Sequence, residues 1–294
     1  MKRIAMLIIF AMVLSLFGGC GMTDKPADIA ATTLPVYQFT SLLCEGTDLT
    51  VTRLVNESVS CLHDYSLNVD QVKAAEAAQL IVINGAGLED FMADLLTGKP
   101  TIDASANIPL LEDCHEHAHE HGHEHEHSHE TDSHIWLSPV NAMIMAENIC
   151  NGLKAQYPAH AQQFEVNLTA LLQRLQTLLD YGNSQLTSLS CREMITFHDG
   201  FAYFAHCFDL HILEAVEEEA GSEASAQELI ALIKLVRDHQ LPAIFTEVNG
   251  SPSSASIISA ETGSAIFTLN MAMAGDDYFM AMYHNINTIK EAMG

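Results

Sequence analysis

The sequence predicts an α/β fold in which two β/α lobes are joined by a long helix. Short apolar runs alternate with amphipathic segments in both halves of the 294-residue chain. The continuous apolar run 80–83 ends at a glycine-containing turn, which is typical of a buried parallel strand. A long amphipathic segment separates the two halves, and the chain length is that of about two domains.

The first half of the chain shows βαβ alternation, which predicts an N-terminal lobe over residues 28–157. A low-complexity, His-rich loop interrupts this lobe at 112–133, and it is longer than ordinary connections between elements. We expect strands at 29–33, 49–54 and 80–83, and helices at 69–79, 87–96 and 139–155.

Leucines recur at spacings of three and four residues after Pro158, which predicts an amphipathic linking helix over 158–187. The alternation then resumes and predicts a C-terminal lobe over 188–294. A single domain with one long surface helix is the alternative interpretation. In the second lobe we expect strands at 194–196, 211–216, 243–248 and 265–269.

The composition is strongly acidic, with 38 Asp and Glu against 12 Lys and Arg and a formal net charge of -26. This charge repels nucleic-acid phosphates and anionic lipid surfaces, so we expect neither as a partner. The 16 histidines outnumber the lysines and arginines together. Metal cations are therefore the natural ligands to consider.

The N-terminus has the pattern of an export signal: a positive start, then an apolar run too short to span a membrane. Its ending, Phe-Gly-Gly-Cys, resembles a bacterial lipobox. The resemblance implies a lipoprotein signal peptide over 1–19, lipidation of Cys20 and a tether over 20–27. The protein would then lie at the outer face of the bacterial cell membrane, attached only through its lipid. A plain secretory signal is the alternative.

Six further cysteines would lie in a compartment where disulfides form, yet none belongs to a CxxC pair. Their spacing therefore suggests no cysteine zinc cluster, and their connectivity cannot be deduced from sequence. Buried free thiols are the alternative. These residues are Cys44, Cys61, Cys114, Cys150, Cys191 and Cys207.

The segment 115–129 has a histidine at every second position, with glutamates interleaved. Because it has almost no apolar side chains, we expect it to be disordered without metal. Imidazoles beside carboxylates form weak, exchangeable sites for Zn(II), Cu(II) and Ni(II). A passive solvated linker is the alternative. The histidines are His115, His117, His119, His121, His123, His125, His127 and His129.

Three other histidines, His63, His134 and His198, lie in separate parts of the chain, each beside a strand-like or apolar segment. Ligands of open α/β sheets bind beyond the carboxyl ends of the strands, so these three side chains can converge in one cleft. We interpret the remaining histidines as structural or surface residues. They are His160, His206, His211, His239 and His284.

Three motifs resemble those of the metal-binding lipoproteins of ABC importers, cluster A-I, zinc type (ZnuA-like). HIWLSP at 134–139, FHDGFAYF at 197–204 and AIFTE at 243–247 are similar to HxWLxP, FHxxFxYF and IFxE. The order of the motifs, the preceding His-rich insertion and NINTI at 285–289 also fit. The resemblance covers nearly the whole mature chain and implies two lobes, a rigid helix between them and one metal in the cleft.

The resemblance also implies that His63, His134 and His198 are metal ligands. Manganese-type members have Glu at the third position, so His198 implies Zn(II), in agreement with the preference of imidazole nitrogen. A tetrahedral zinc ion needs a fourth ligand. The family often has Asp where this chain has Asn270, whose amide oxygen is a weaker candidate. The fourth position is left open between water and Glu247, which could instead be an acceptor behind a ligand imidazole.

These observations predict a zinc-binding protein that captures extracellular Zn(II) and delivers it to an ABC permease. We expect a monomer without enzymatic activity. One alternative is a zinc-storing or zinc-sensing surface lipoprotein without a permease. The other is a three-histidine zinc hydrolase, which the lack of an HExxH motif disfavours.

Overall fold

The computed structural model describes residues 26–56, 62, 65–111, 131–217, 224–248, 250, 252–273 and 275–294. Within these residues there are eight strands and nine α-helices. The strands are β1 (Ile29–Ala31), β2 (Val51–Arg53), β3 (Leu80–Ile83), β4 (Thr101–Asp103), β5 (Glu193–His198), β6 (His211–Glu217), β7 (Ala243–Glu247) and β8 (Ala265–Leu269). The helices are α1 (Leu34–Leu43), α2 (Val69–Ala77), α3 (Ala93–Leu96), α4 (Pro139–Gln156), α5 (Ala161–Leu186), α6 (Ala202–Cys207), α7 (Ala226–His239), α8 (Pro252–Thr262) and α9 (Tyr278–Met293).

The strands form two four-stranded sheets, ordered β2-β1-β3-β4 and β6-β5-β7-β8. All the strand pairs within both sheets are parallel. The two sheets therefore have the same topology, and the carboxyl ends of their strands meet at one edge of each sheet. This arrangement confirms the predicted fold of two α/β lobes.

Most of the predicted elements are present, with ends shifted by at most three residues. Two elements of the N-terminal lobe were not predicted. Helix α1 begins beside Pro35, a residue favoured in the first turn of a helix because it has no N–H to leave unsatisfied. Strand β4 has a single apolar residue, Ile102, between Thr101 and Asp103, so it lacks the apolar run that indicated the other strands.

The prediction of a helix over 87–96 was wrong for its first half. The backbone is left-handed at three successive residues, with φ of 81° at Gly85, 55° at Ala86 and 84° at Gly87. A right-handed helix cannot start from this conformation. The chain makes a turn there instead, followed by one 3₁₀ turn at Asp90–Met92 and the short helix α3.

Helix α5 lies between the two sheets in the chain and packs against α1, α4 and α9. One cluster of buried apolar side chains extends through both lobes and includes Val82 of β3, Leu175 of α5 and Phe245 of β7. The rings of Phe39 and Tyr278 meet edge to face across the lobes, with centroids 5.0 Å apart. A continuous apolar core of this kind favours a fixed arrangement of the lobes.

The four cysteines that the structure describes are all free thiols: Cys44 and Cys150 are buried, and Cys191 and Cys207 are half-buried. Burial raises the pKa of the Cys44 thiol to about 12, which makes it an inert packing residue at neutral pH. Cys61 and Cys114 lie outside the described residues.

In the described part of the chain, no helix has both the length and the apolar character needed to cross a membrane. The predicted signal peptide over 1–19, the lipidation site Cys20 and the histidines of 115–129 lie outside the described residues.

Candidate metal site

His134 lies at the start of the 3₁₀ turn Ile135–Leu137 and is almost fully buried, with 3% of its surface exposed. The carboxylate of Asp132 contacts the His134 ring at Nδ1, the nitrogen that does not face His198. Oδ1 of Asp132 accepts a hydrogen bond from the His134 backbone N–H at 2.8 Å and lies 2.8 Å from Nδ1 of the imidazole ring. A proton on Nδ1 shared with this carboxylate leaves the lone pair of Nε2 available to a ligand.

His198 is the last residue of β5, and it is also buried, with 2% exposed. Its Nε2 atom lies 3.4 Å from Nε2 of His134, and the two rings are nearly perpendicular at 86°. Two Zn–N bonds at the tetrahedral angle place their nitrogens about 3.3 Å apart. The two Nε2 atoms therefore have the spacing of two ligands of one tetrahedral ion.

Gly200 allows the two imidazoles to approach each other. A Cβ atom on Gly200 would lie 3.0 Å from Cδ2 of His198 and 3.1 Å from Cδ2 of His134. It would also lie 2.5 Å from Cε of Met271, which packs on the same side. A larger residue at position 200 would therefore press on both rings, which explains a glycine two residues after a strand end.

Glu247 ends β7, the strand beside β5, and is 4% exposed. Thr196 pairs with Phe245 in this parallel ladder. Two residues further along each strand, His198 and Glu247 lie at the same level of the sheet edge. A buried carboxylate thus lies at the strand end next to that of His198.

The Asn270 side chain stabilises a turn. Its Oδ1 accepts a hydrogen bond from the backbone N–H of Ala272 at 2.8 Å, and Ala272 has the unusual φ of 56°. Its backbone N–H and C=O both bond to the side chain of Asn285 at 2.7 Å. Asn270 therefore fixes the loop after β8, a function that the sequence analysis did not anticipate.

Three further residues beside the imidazole pair, Asp132, Trp136 and Tyr278, were not among the predicted site residues. Trp136 is fully buried, donates from Nε1 to the Met271 carbonyl at 2.7 Å and lies 5.2 Å from the His134 ring. The Tyr278 hydroxyl donates to the Trp136 carbonyl at 2.8 Å. Asp132 could have been found from the sequence, because it lies only two residues before His134. The contacts of Trp136 with Met271 and Tyr278 span more than 130 residues and leave no local pattern.

The N-terminal lobe contacts the same segment through Asn84, whose Nδ2 donates to the Ser133 carbonyl at 3.0 Å. Asn84 is in turn held by Glu89, which is 3% exposed. The Glu89 carboxyl accepts hydrogen bonds from the Thr32 hydroxyl at 2.6 Å and from the N–H groups of Asn84 and Gly85 at 2.8 and 3.0 Å. Burial raises the pKa of this carboxyl to about 7, although the three hydrogen bonds act in the opposite direction.

The third predicted ligand, His63, lies outside the described residues, although its neighbour Leu62 is buried in the N-terminal core. Among the residues that are described, no three His, Cys, Asp or Glu side chains are grouped so that they could hold a metal ion. The structure thus brings together His134 and His198. His160, His239 and His284 contact Asp48, Glu193 and the Thr268 carbonyl, and His206 and His211 are exposed.

The motifs that surround this pair belong to a known family. The chain matches the family described as "ZnuA: Zinc-uptake complex component A periplasmic" over residues 29–292. The chain belongs to the ZnuA family. The resemblance inferred from the three motifs is therefore confirmed.

Two curated relatives cover almost the whole chain. The zinc-binding lipoprotein AdcA of Streptococcus pneumoniae (strain ATCC BAA-255 / R6) is 29% identical over 314 aligned positions, gaps included, and the match covers 99% of this chain and 61% of AdcA. A putative metal-binding protein of Treponema pallidum (strain Nichols) is 27% identical over 308 aligned positions, gaps included, and the match covers 99% of this chain and 97% of that protein. The chain thus spans less than two thirds of the length of AdcA.

Solved structures of the ZnuA family share the fold. A crystal structure of ZnuA is 29% identical, with a TM-score of 0.77 over 91% of this chain and 100% of that chain. The crystal structure of Zn(II)-bound AdcA from Streptococcus pneumoniae is 27% identical, with a TM-score of 0.76 over 91% of this chain and 57% of that one.

Proposed function

We propose that the protein captures Zn(II) outside the cytoplasm and delivers it to the permease of an ABC importer. Membership of a family described as a zinc-uptake component supports this function. So do the relatives named as zinc-binding and the Zn(II)-bound structure of AdcA. The observation that carries the proposal is the pair of buried imidazoles with Nε2 atoms 3.4 Å apart.

In this proposal His134 and His198 supply two nitrogen ligands and His63 supplies the third. The fourth is water or Glu247, the buried carboxylate at the strand end beside His198. Three neutral imidazoles do not offset the charge of a buried dication. Asp132 behind His134 and the carboxylate of Glu247 supply negative charge close to the ion, which favours a cation in this cleft.

The finer parts of the proposal concern location and assembly. A lipid on Cys20 would hold the protein at the outer face of the membrane, close to the permease that receives the metal. The protein would act there as a monomer. The His-rich segment 115–129 would add weak sites and raise the zinc concentration beside the cleft. Loss of lipidation in Cys20→Ser should release the protein from the membrane into the medium.

The decisive experiment is a zinc titration of the full chain in competition with a chromophoric chelator that excludes the weak sites. We expect tight binding of one Zn(II), and its loss in His63→Ala, His134→Ala and His198→Ala. His239→Ala is the matched control, because His239 lies on the outside of the C-terminal lobe against Glu193. Tight binding retained by His198→Ala would overturn the ligand assignment.

Delivery is tested separately from binding, in cells that lack their own zinc-binding protein and grow in zinc-limited medium. The wild-type chain, expressed in cells that retain the permease and ATPase of a zinc importer, should restore growth. His198→Ala should fail and His239→Ala should succeed. Restoration by none of the three, despite tight binding by the purified wild type, would favour storage or sensing over transport.

A further inference from the structure

Tyr203 connects the C-terminal lobe to both flanks of the His-rich segment. The residue lies on α6 and is 4% exposed. Its hydroxyl donates to the Asp132 carbonyl at 3.0 Å and accepts from the Leu111 backbone N–H at 2.9 Å. The Asp132 N–H donates to the Leu111 carbonyl at 3.2 Å. Tyr203, Leu111 and Asp132 therefore close a small ring of hydrogen bonds.

This ring is directly connected to a proposed zinc ligand. Asp132 is held at its backbone by Tyr203, and it holds His134 through its carboxylate, at both the backbone N–H and the imidazole Nδ1. The same α6 begins four residues after His198. One short helix is therefore linked to both histidines, to His198 along the chain and to His134 through Tyr203 and Asp132.

The next carbonyl along the chain, that of Ser133, is held by the N-terminal lobe. Asn84 of the N-terminal lobe donates to the Ser133 carbonyl at 3.0 Å. Two successive carbonyls of the segment before His134 are thus held by the two lobes, one by Asn84 and one by Tyr203. A segment fixed in this way has little freedom to rotate, and the direction of the Asp132 carboxylate depends on both contacts.

We propose that Tyr203 is a positioning residue for metal capture, which acts through Asp132 to hold the His134 imidazole towards His198. The inference rests on the proposed zinc function, but it assigns a new role to a hydroxyl that does not itself reach the ion. Groups that orient a metal-binding histidine change metal affinity by about 10- to 100-fold when they are removed. Tyr203 is one step further from the metal, so we expect an effect near the lower end of that range.

The test is a double-mutant cycle on Zn(II) affinity, measured by competition with a chromophoric chelator. Tyr203→Phe removes the hydroxyl and keeps the buried ring, and it should weaken binding about tenfold. Asp132→Ala should weaken binding more. In the Asp132→Ala background, Tyr203→Phe should cause no further loss, because residues that act through one another are not additive.

Tyr181→Phe is the matched control. Its hydroxyl also donates a hydrogen bond, in this case to the Asn287 Oδ1 atom at 2.6 Å on the exposed side of α5. This variant should leave Zn(II) affinity unchanged in both backgrounds. The visible absorption of the Co(II)-loaded protein gives a second readout: Tyr203→Phe should change the spectrum, and Tyr181→Phe should not.

The outcomes separate the two proposals. Unchanged affinity and an unchanged Co(II) spectrum in Tyr203→Phe, with a tight-binding wild type, would overturn the positioning role alone. So would an equal loss with and without Asp132, since Tyr203 would then act by general stabilisation. A wild-type protein without tight Zn(II) binding would overturn the proposed function, and this inference with it.

Discussion

The two sheets have the same strand order, but the polar groups at their carboxyl edges are used differently. In the N-terminal lobe, Glu89 is buried and is held by a hydroxyl and two backbone N–H groups of the adjoining strand ends. In the C-terminal lobe, buried Glu247 lies at the strand end beside that of His198. The carboxyl of Glu89 thus stabilises a turn of its own lobe. The carboxyl of Glu247 lies at the strand end beside His198, one of the two paired imidazoles.

The strand topology determines where a binding site can form, but the side chains at that position decide its chemistry. Both edges lie where open α/β sheets bind ligands. The carboxyl of Glu89 accepts hydrogen bonds from its own loop and thereby fixes Asn84. Asn84 in turn donates to the Ser133 carbonyl. At the N-terminal edge Glu89 therefore helps to fix the segment before His134, whereas the C-terminal edge carries His198, the second of the two paired imidazoles.

The largest expected contrast is between the two buried glutamates. Glu247→Gln should weaken Zn(II) binding by about 10- to 100-fold, because it removes a negative charge beside the proposed metal site. Glu89→Gln should change the Zn(II) affinity much less, since Glu89 contacts the segment before His134 only through Asn84. Competition titration of both variants measures this contrast. Equal losses would show that the two edges do not differ in function.

A smaller effect is expected from two glycines that are both tightly packed. Gly200→Ala should weaken Zn(II) binding by about tenfold, the lower end of the loss expected when ligand orientation is disturbed. Gly182→Ala would place a Cβ 2.3 Å from the Phe208 ring, away from the two imidazoles. It should lower the free energy of unfolding by about 1–3 kcal/mol and leave Zn(II) affinity unchanged.

Titration and thermal unfolding of both glycine variants separate the two effects. If Gly200→Ala lowers only the thermal stability, the close approach at Gly200 has no function in binding.

Asn270 should show a weaker effect than Glu247. Asn270→Ala removes the acceptor for the Ala272 N–H, which should cost about 1 kcal/mol of folding stability. Its Zn(II) affinity should fall less than that of Glu247→Gln. Asn270→Asp keeps the acceptor and adds a negative charge at the strand end, so it should strengthen Zn(II) binding. Weaker binding by Asn270→Asp than by the wild type would contradict this expectation.

The last contrast concerns folding stability rather than Zn(II) affinity, and it is a pH dependence that originates at Glu89. Its pKa is raised from 4.5 to about 7, so the metal-free folded protein retains a proton that the unfolded chain has released. The stabilisation from this group is present below about pH 4.5 and is lost as the pH rises towards 7. Urea denaturation should therefore show that the free energy of unfolding falls more between pH 5 and pH 8 for the wild type than for Glu89→Gln. Parallel declines would place the titration elsewhere.

The sequence by itself determined the alternation of strands and helices in the two lobes. The run Leu80–Ile83 and the leucines of Ala161–Leu186 bury a complete strand or helix face, so their hydrophobic period is visible locally. The helix predicted over 87–96 was wrong for its first half, because the left-handed backbone at Gly85–Gly87 is set by contacts with Asp103 and Ser105 rather than by a periodic pattern.

The sequence also indicated His134 and His198, because their types and surrounding motifs are local. Only the tertiary structure showed that their Nε2 atoms lie 3.4 Å apart, and that Tyr203 holds Asp132 behind His134. Tyr203 and Asp132 are 71 residues apart in the chain. A hydrogen bond requires its two atoms to meet within about 3 Å, and over such a separation only the packing of both lobes decides whether they do.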